Sequence, residues 1–188
     1  MRIVGGRLKG RALKSPVEEG LRPTSDRLRE TLFNVLAHAY DDPVEGAQVI
    51  DLFAGTGALA CEALSRGARF ALMVDDSAQA RGLIRENVTT LGLGGVTRLL
   101  RRDACKLGDA PTGERYSLVF LDPPYGKGLG ELALISLRDG GWLVPDALLL
   151  WEESADAALS VPEGFELIEQ RVYSVAQVLF LRFRAPPP

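Results

Sequence analysis

The stretch Leu118-Val119-Phe120-Leu121-Asp122-Pro123-Pro124-Tyr125 leaves few folds open to the chain that carries it. Four consecutive apolar residues read as a strand buried on both faces, as in a parallel sheet. The two prolines then end sheet pairing and fix φ at successive positions. Asp122 and Tyr125 are therefore expected to stand rigidly at the carboxyl end of a central strand. Open α/β sheets bind their ligands at that edge.

The rest of the chain alternates in the same sense. Strands are expected at 48–53, 70–75, 96–102, 117–122 and 147–153, and helices at 57–65, 78–91 and 129–137. Such alternation gives a mostly parallel sheet with helices on both faces. Residues 165–173 and 176–184 are two extended runs with almost nothing between them, an antiparallel hairpin at a sheet edge. Ahead of all this, Ile3, Val4, Leu8, Ala12 and Leu13 allow a small hairpin turning near Gly5-Gly6. A helix follows, capped at Thr24 or Ser25, with Leu28, Leu32, Val35, Leu36 and Ala39 on one stripe. At 188 residues this is a single globular unit. It divides into an extension over 1–40 and a main domain over 41–188.

Cys61 and Cys105 lie far apart, and His38 is the single histidine, so the spacing of a zinc or iron-sulfur site is missing and no metal is expected. Phe33, Trp142 and Trp151 read as core. No apolar stretch has membrane-spanning length, and a cytoplasmic location is the default expectation. The charge is uneven. Positions 1–30 hold eight basic against four acidic side chains, whereas the whole chain carries −3. A basic end on an acidic body suggests contact with a polyanion. Arg7, Lys9, Arg11, Arg22, Thr24 and Arg27 are the candidates, set among glycines that let backbone approach a phosphate chain.

The first strand runs into Asp51-Leu52-Phe53-Ala54-Gly55-Thr56-Gly57-Ala58-Leu59-Ala60. In a nucleotide-binding loop Gly55 would serve the tight turn, Gly57 close approach of backbone, and Ala60 the helix–strand contact. Alone this pattern is a weak signal. Asp75 strengthens it: it ends the next strand, twenty residues after Gly55, where an acid accepts bonds from ribose hydroxyls. A dehydrogenase would show the same features. Asp51 argues for a cationic ligand over a pyrophosphate, and Asp122-Pro-Pro-Tyr125 has no use in hydride transfer. Asp103-Ala104, after the third strand, suits either an adenine contact or a helix cap, and spacing does not choose between them.

In this order, Asp51–Ala60, with Phe53 inside it, then Asp75, Asp103 and Asp122–Tyr125 resemble the class I S-adenosylmethionine-dependent methyltransferases. The N-terminal block narrows the resemblance. Arg2-Ile-Val-Gly-Gly6, Gly10-Arg11, Leu21-Arg-Pro-Thr24, Asp26-Arg27 and Leu32-Phe-Asn34 are similar to the RsmD family, as are Glu62-Ala-Leu-Ser-Arg66, Gly141-Trp142 and Arg171-Val-Tyr173. Two positions depart from the family pattern. Ser77 stands where an acid is usual, and Ser174 where glycine is usual.

The resemblance implies a Rossmann-like class I fold with seven strands in the order 3-2-1-4-5-7-6. It implies S-adenosylmethionine as cofactor, held by Asp51, Phe53, Gly55, Gly57, Asp75, Asp103 and Ala104. It implies methylation of a guanine N2 amine in bacterial 16S ribosomal RNA, by a monomer acting on RNA alone or within a small-subunit assembly particle. Asp122, Pro123 and Tyr125 would do the chemistry. Methylation of adenine N6 or of a glutamine side chain is the first alternative. A catalytically silent RNA-binding factor is the second; retention of Asp51, Asp75 and Asp122 argues against it.

Overall fold

The computed structural model describes residues 1–16 and 25–188. Its centre is a seven-stranded sheet in the order β3-β2-β1-β4-β5-β7-β6. The strands are β1 (Gln48–Leu52), β2 (Phe70–Val74), β3 (Thr97–Leu100), β4 (Tyr116–Leu121), β5 (Leu143–Ser154), β6 (Phe165–Tyr173) and β7 (Ala176–Phe183). The first five run parallel, β7 runs against β5, and β6 against β7. The helices are α1 (Asp26–Ala39), α2 (Ala58–Ser65), α3 (Ala78–Thr90) and α4 (Leu129–Asp139).

Two apolar layers enclose the sheet. On one face, Val49, Ala71, Met73, Phe120 and Leu150 pack against α1, α2 and α3. On the other, Ile50, Leu72, Val119 and Leu149 pack against α4 and the 3-10 turn Ala104–Lys106. Leu118, Val119, Phe120 and Leu121 are each 1% exposed or less, as a strand covered on both faces requires.

The extension is part of this core. Ile3, Leu8 and Leu13 share the first layer with Leu32, Phe33 and Leu36 of α1 and with the sheet, so the expected boundary at residue 40 divides no hydrophobic core. A bridge pairs Arg2 with Ala12, closing the expected small hairpin. Ser25 caps α1, its Oγ accepting from the Leu28 amide at 3.1 Å.

The hairpin docks on the end of α2. Glu62 Oε1 accepts from the Val4 amide and Oε2 from the Gly5 amide, both at 2.9 Å. Ser65 Oγ accepts from the Leu8 amide at 2.9 Å. A Cβ on Gly6 would fall 2.0 Å from the Ser65 carbonyl oxygen. For Gly6 the reason differs from the expected one: the missing side chain allows approach to α2. Arg29, counted among the basic residues of the extension, is fully buried. Its Nε donates to Glu62 at 3.1 Å, and Nη2 donates to Asp26 at 2.9 Å and to the Arg2 carbonyl. Lys14 pairs with Glu86 at 2.6 Å. Arg29 is thus committed inside the protein, whereas Lys14 pairs at the surface.

The departures from the family pattern have local consequences. Ser77 caps α3, accepting from the Ala80 amide at 3.2 Å, a service an acid performs equally well. Ser174 takes φ +56° in the β6–β7 turn, a left-handed conformation in which glycine is unstrained. His38 is exposed, Cys61 buried and Cys105 half-buried. Phe33, Trp142 and Trp151 are core residues. Among the described residues no helix is long and apolar enough to cross a membrane, and no cluster of His, Cys, Asp and Glu is placed to hold a metal ion.

Candidate active site

Four neighbouring strands, β2, β1, β4 and β5, carry an acid at or just past their carboxyl ends: Asp75, Asp51, Asp122 and Glu152. The first three line one cleft of about 520 Å³, together with Phe53, Gly55, Pro123 and Tyr125. Pro16, from the extension, completes its wall. A second cleft of about 390 Å³ is lined by Arg27 and Thr31 of α1, by Glu152 and by the β6–β7 turn. Tyr125 belongs to both clefts.

The loop after β1 is shaped by its backbone. Phe53 has φ +56°, a costly conformation for a bulky residue, and Gly55 has +60°. Asp75 ties this loop to α3. Its Oδ2 accepts from the Gly55 amide at 3.0 Å and its Oδ1 from the Ser77 amide at 2.9 Å. Each carboxylate oxygen keeps acceptor capacity for a ligand hydroxyl. Gly57 is required by local packing as well. It has φ +78° at the cap of α2, and a Cβ there would lie 2.9 Å from Met73 Sδ. The missing side chain thus serves packing against β2.

Because Gly57 has no side chain to cap α2, the first amides of that helix find other acceptors. Thr56 Oγ1 takes the Ala58 amide at 3.3 Å, and Asp51 Oδ2 takes the Ala60 amide at 3.3 Å. Asp51 is 1% exposed. Burial raises its pKa well above the usual carboxylate range; the Ala60 amide opposes this and the nearby Asp75 charge adds to it. The site thus holds a carboxyl whose ionisation a cation in the cleft would favour.

Asp51 should therefore make its own contribution to the pH dependence of stability. Above the unfolded pKa near 3.8, the unfolded chain releases the Asp51 proton while the folded chain keeps it. Folding is penalised progressively as pH rises from that value through the higher folded pKa, by about 1.4 kcal/mol for every pH unit that separates the two. Asn at this position keeps the bond from Ala60 and removes the penalty. Asp51→Asn should raise the melting temperature of ligand-free protein at pH 8, and the gain should vanish toward pH 4. A gain of equal size at both pH values, or none at pH 8, would contradict this.

Asp103 acts as the helix cap, its Oδ1 accepting from the Cys105 amide at 2.8 Å. Neither Asp103 nor the buried Ala104 lines the larger cleft. Of the expected RNA contacts, Arg7, Lys9 and Arg27 are exposed and make no side-chain hydrogen bond among the described residues. Arg11 is exposed but donates to the Thr90 carbonyl at 2.8 Å. Arg22 and Thr24 lie outside the described residues.

Two residues of β5 were missed by sequence reasoning. Tyr125 Oη donates to Glu152 Oε1 at 2.8 Å, and the Gly126 amide donates to Glu153 Oε1 at 3.1 Å. This acidic pair, 8% and 2% exposed, fixes the segment after the prolines. The signal that could have found them was two adjacent acids at the end of an apolar strand, Leu148-Leu-Leu-Trp-Glu-Glu153.

A family model described as Conserved hypothetical protein 95 matches residues 1–182. Ribosomal RNA small subunit methyltransferase D of Escherichia coli is 42% identical over 174 residues, covering 92% of this chain and 84% of the relative. The protein of the same name from Haemophilus influenzae is 32% identical, covering 93% and 90%. A solved Escherichia coli structure is similar over 99% of each chain, with 33% identity and a TM-score of 0.83. The sheet order, the extension docked on Glu62 and Ser65, and these likenesses over nearly the whole length agree: the chain belongs to the RsmD family of ribosomal RNA small subunit methyltransferases.

Proposed function

We propose that this protein methylates the exocyclic N2 amine of a guanine in 16S ribosomal RNA, with S-adenosylmethionine as methyl donor. The observation that carries this reading is the single cleft shared by Asp51, Asp75 and the Asp122–Tyr125 segment. The cofactor supplies an electrophilic methyl group on a cationic sulfur. Asp51, buried and without a basic partner among the described residues, suits that charge, and Asp75 suits the ribose hydroxyls. Phe53 and Gly55 would line the same pocket.

The amine of guanine is a weak nucleophile because its lone pair is delocalised into the ring. Asp122 and the Pro123 carbonyl are two acceptors that can hold its hydrogens and favour a pyramidal nitrogen. Tyr125, 37% exposed and anchored by Glu152, offers a face for the base to stack on. Such positioning can contribute roughly 7–11 kcal/mol. Positive charge develops on the attacking nitrogen, and the fixed Asp122 carboxylate stabilises it. The base must leave its stack to reach this edge, at a cost of a few kcal/mol.

Label from methyl-tritiated S-adenosylmethionine should pass to 16S RNA or to a small-subunit particle carrying it. Transfer to neither overturns the reading. Arg7, Lys9 and Arg27, exposed and without a side-chain hydrogen bond among the described residues, suit contacts to phosphate, as Arg22 and Thr24 do by sequence. Changing Arg7, Lys9 and Arg27 together to Gln should weaken RNA binding and flatten its log–log salt dependence by about two to three units. S-adenosylhomocysteine affinity should stay constant. An unchanged salt slope would mean that RNA docks on another surface.

A further inference from the structure

Asp51 is the middle member of three acids that the sheet order sets side by side. It pairs with Met73 of β2 on one side and with Phe120 of β4 on the other. Asp75 and Asp122 follow two residues later along those flanking strands, which lie about 4.8 Å to either side of β1. All three acids line the larger cleft; Asp51 is buried, and the other two are half-buried. Among the described residues the Asp51 side chain takes one hydrogen bond, from the Ala60 amide, and no ion pair. The groups around it are acidic or neutral. Asp75 and Asp76 lie past β2, and Asp122 past β4. Cys61 of α2 is kept a neutral thiol, burial pushing its pKa up to about 12. From α3 come Gln79, Ala80 and Leu83, and from the extension Pro16. The charge of Arg29 reaches Cys61, but its guanidinium bonds Glu62 and Asp26. A buried carboxyl in such surroundings keeps its proton until a cation arrives.

With Asp75 toward the ribose and Asp122 toward the amine, the acid between them faces the atom that joins those two ends. In S-adenosylmethionine that atom is sulfur, bonded both to the ribose carbon and to the methyl group bound for the amine. Donor and product differ in charge there: a sulfonium before transfer, a neutral thioether after it. We propose that Asp51 distinguishes the methyl donor from its spent product, standing as a carboxylate opposite the sulfonium and as a protonated carboxyl opposite the thioether. This rests on the S-adenosylmethionine reading above. On transfer the C–S bond breaks and leaves its electron pair on sulfur, an N–C bond forms, and the amine gives one proton to solvent. Asp51 takes one proton up, and releases it when fresh donor displaces product.

The test is calorimetry of wild type and Asp51→Asn, each with S-adenosylmethionine and with S-adenosylhomocysteine, in buffers of different ionisation enthalpy. Relative to the variant, wild type should release up to one extra proton on binding the donor and none on binding the product. Its preference for donor over product, again relative to the variant, should rise by about tenfold or more between about pH 5 and about pH 8.5, one proton permitting at most about tenfold per pH unit. Titration of the ligands themselves is common to both proteins and cancels. The infrared difference between the product and donor complexes of wild type should contain the band of a protonated carboxyl, missing from the same difference for Asp51→Asn. Absence of that band from wild type overturns the proposal whether or not the variant folds. Equal proton release with both ligands would set Asp51 against the ammonium group that donor and product share, and would overturn it too, as would a preference that does not change with pH. Each of these leaves the S-adenosylmethionine reading standing. Failure of wild type to bind either ligand would overturn both.

Discussion

Asp122→Ala should lower methyl transfer by a factor of about a hundred to a thousand while S-adenosylhomocysteine binds within about tenfold of wild type, roughly 1.4 kcal/mol. The expectation follows from where Asp122 stands. It follows the buried strand β4 directly, and two prolines behind it prevent the chain from relaxing into further sheet. Its amide still reaches the Leu52 carbonyl at 3.5 Å, so pairing with β1 continues just past the end of β4. A carboxylate fixed this way meets developing positive charge without reorganising. Losing one such preorganised group typically costs about 3–4 kcal/mol at the transition state. Asp122→Asn keeps an acceptor but not the charge, and should fall between wild type and Ala. Because Asp122 lines the same cleft as Asp51 and Asp75, calorimetry decides whether its role is toward base or cofactor. Loss of S-adenosylhomocysteine binding in parallel with activity would assign it to the cofactor instead.

Glu62→Ala should cost about 3–5 kcal/mol of stability, the usual penalty for removing one member of a buried ion pair. Glu62 is wholly buried and accepts from the Val4 and Gly5 amides, from Arg29 Nε at 3.1 Å and from Arg66 Nε at 3.0 Å. Without it, the Arg29 guanidinium stays buried but loses the carboxylate that shares its burial; among the described residues its other acidic neighbour is Asp26, which is partly open to solvent. The Arg66 guanidinium, 5.0 Å from the Phe33 ring centroid, loses its carboxylate partner as well. For a domain of this size the change corresponds to a fall of roughly 6–20 °C in melting temperature. Residues 1–16 should also become sensitive to protease below the melting point, because the hairpin, α1 and α2 meet on this one carboxylate. A loss under about 1 kcal/mol would show that the network contributes specificity of docking and little stability.

The central fold was legible because apolar runs are long where strands are buried on both faces and stop at Asp, Gly or Pro. The order of the strands came through resemblance, since periodicity alone does not say that β7 enters between β5 and β6. Boundaries shifted where local signals conflicted. β5 begins at Leu143 and not at 147, although Pro145 and Asp146 interrupt the apolar pattern; Asp146 takes φ +62° within the strand. Asp51, Asp75 and Asp122 were legible because each acid closes an apolar strand in a recognisable motif. Glu152 closes one too, but with no glycine or proline to mark it. Arg29 was beyond reach for a different reason. Its partner is 33 residues away, and a basic residue beside Asp26 and Glu30 looks like part of a solvated face until α2 is seen against α1. The N-terminal glycines misled in the same way, since their neighbours are Ser65 and Arg66 in a distant helix and the residue after it.

The most direct test of the guanine-N2 claim is nucleoside mass analysis of 16S RNA from small-subunit particles, isolated from cells lacking this protein and then incubated with it and S-adenosylmethionine. One N2-methylguanosine per RNA should appear with wild-type protein and be missing with Asp122→Ala. N6-methyladenosine in its place, or methyl groups recovered on ribosomal protein and none on RNA, would contradict the account.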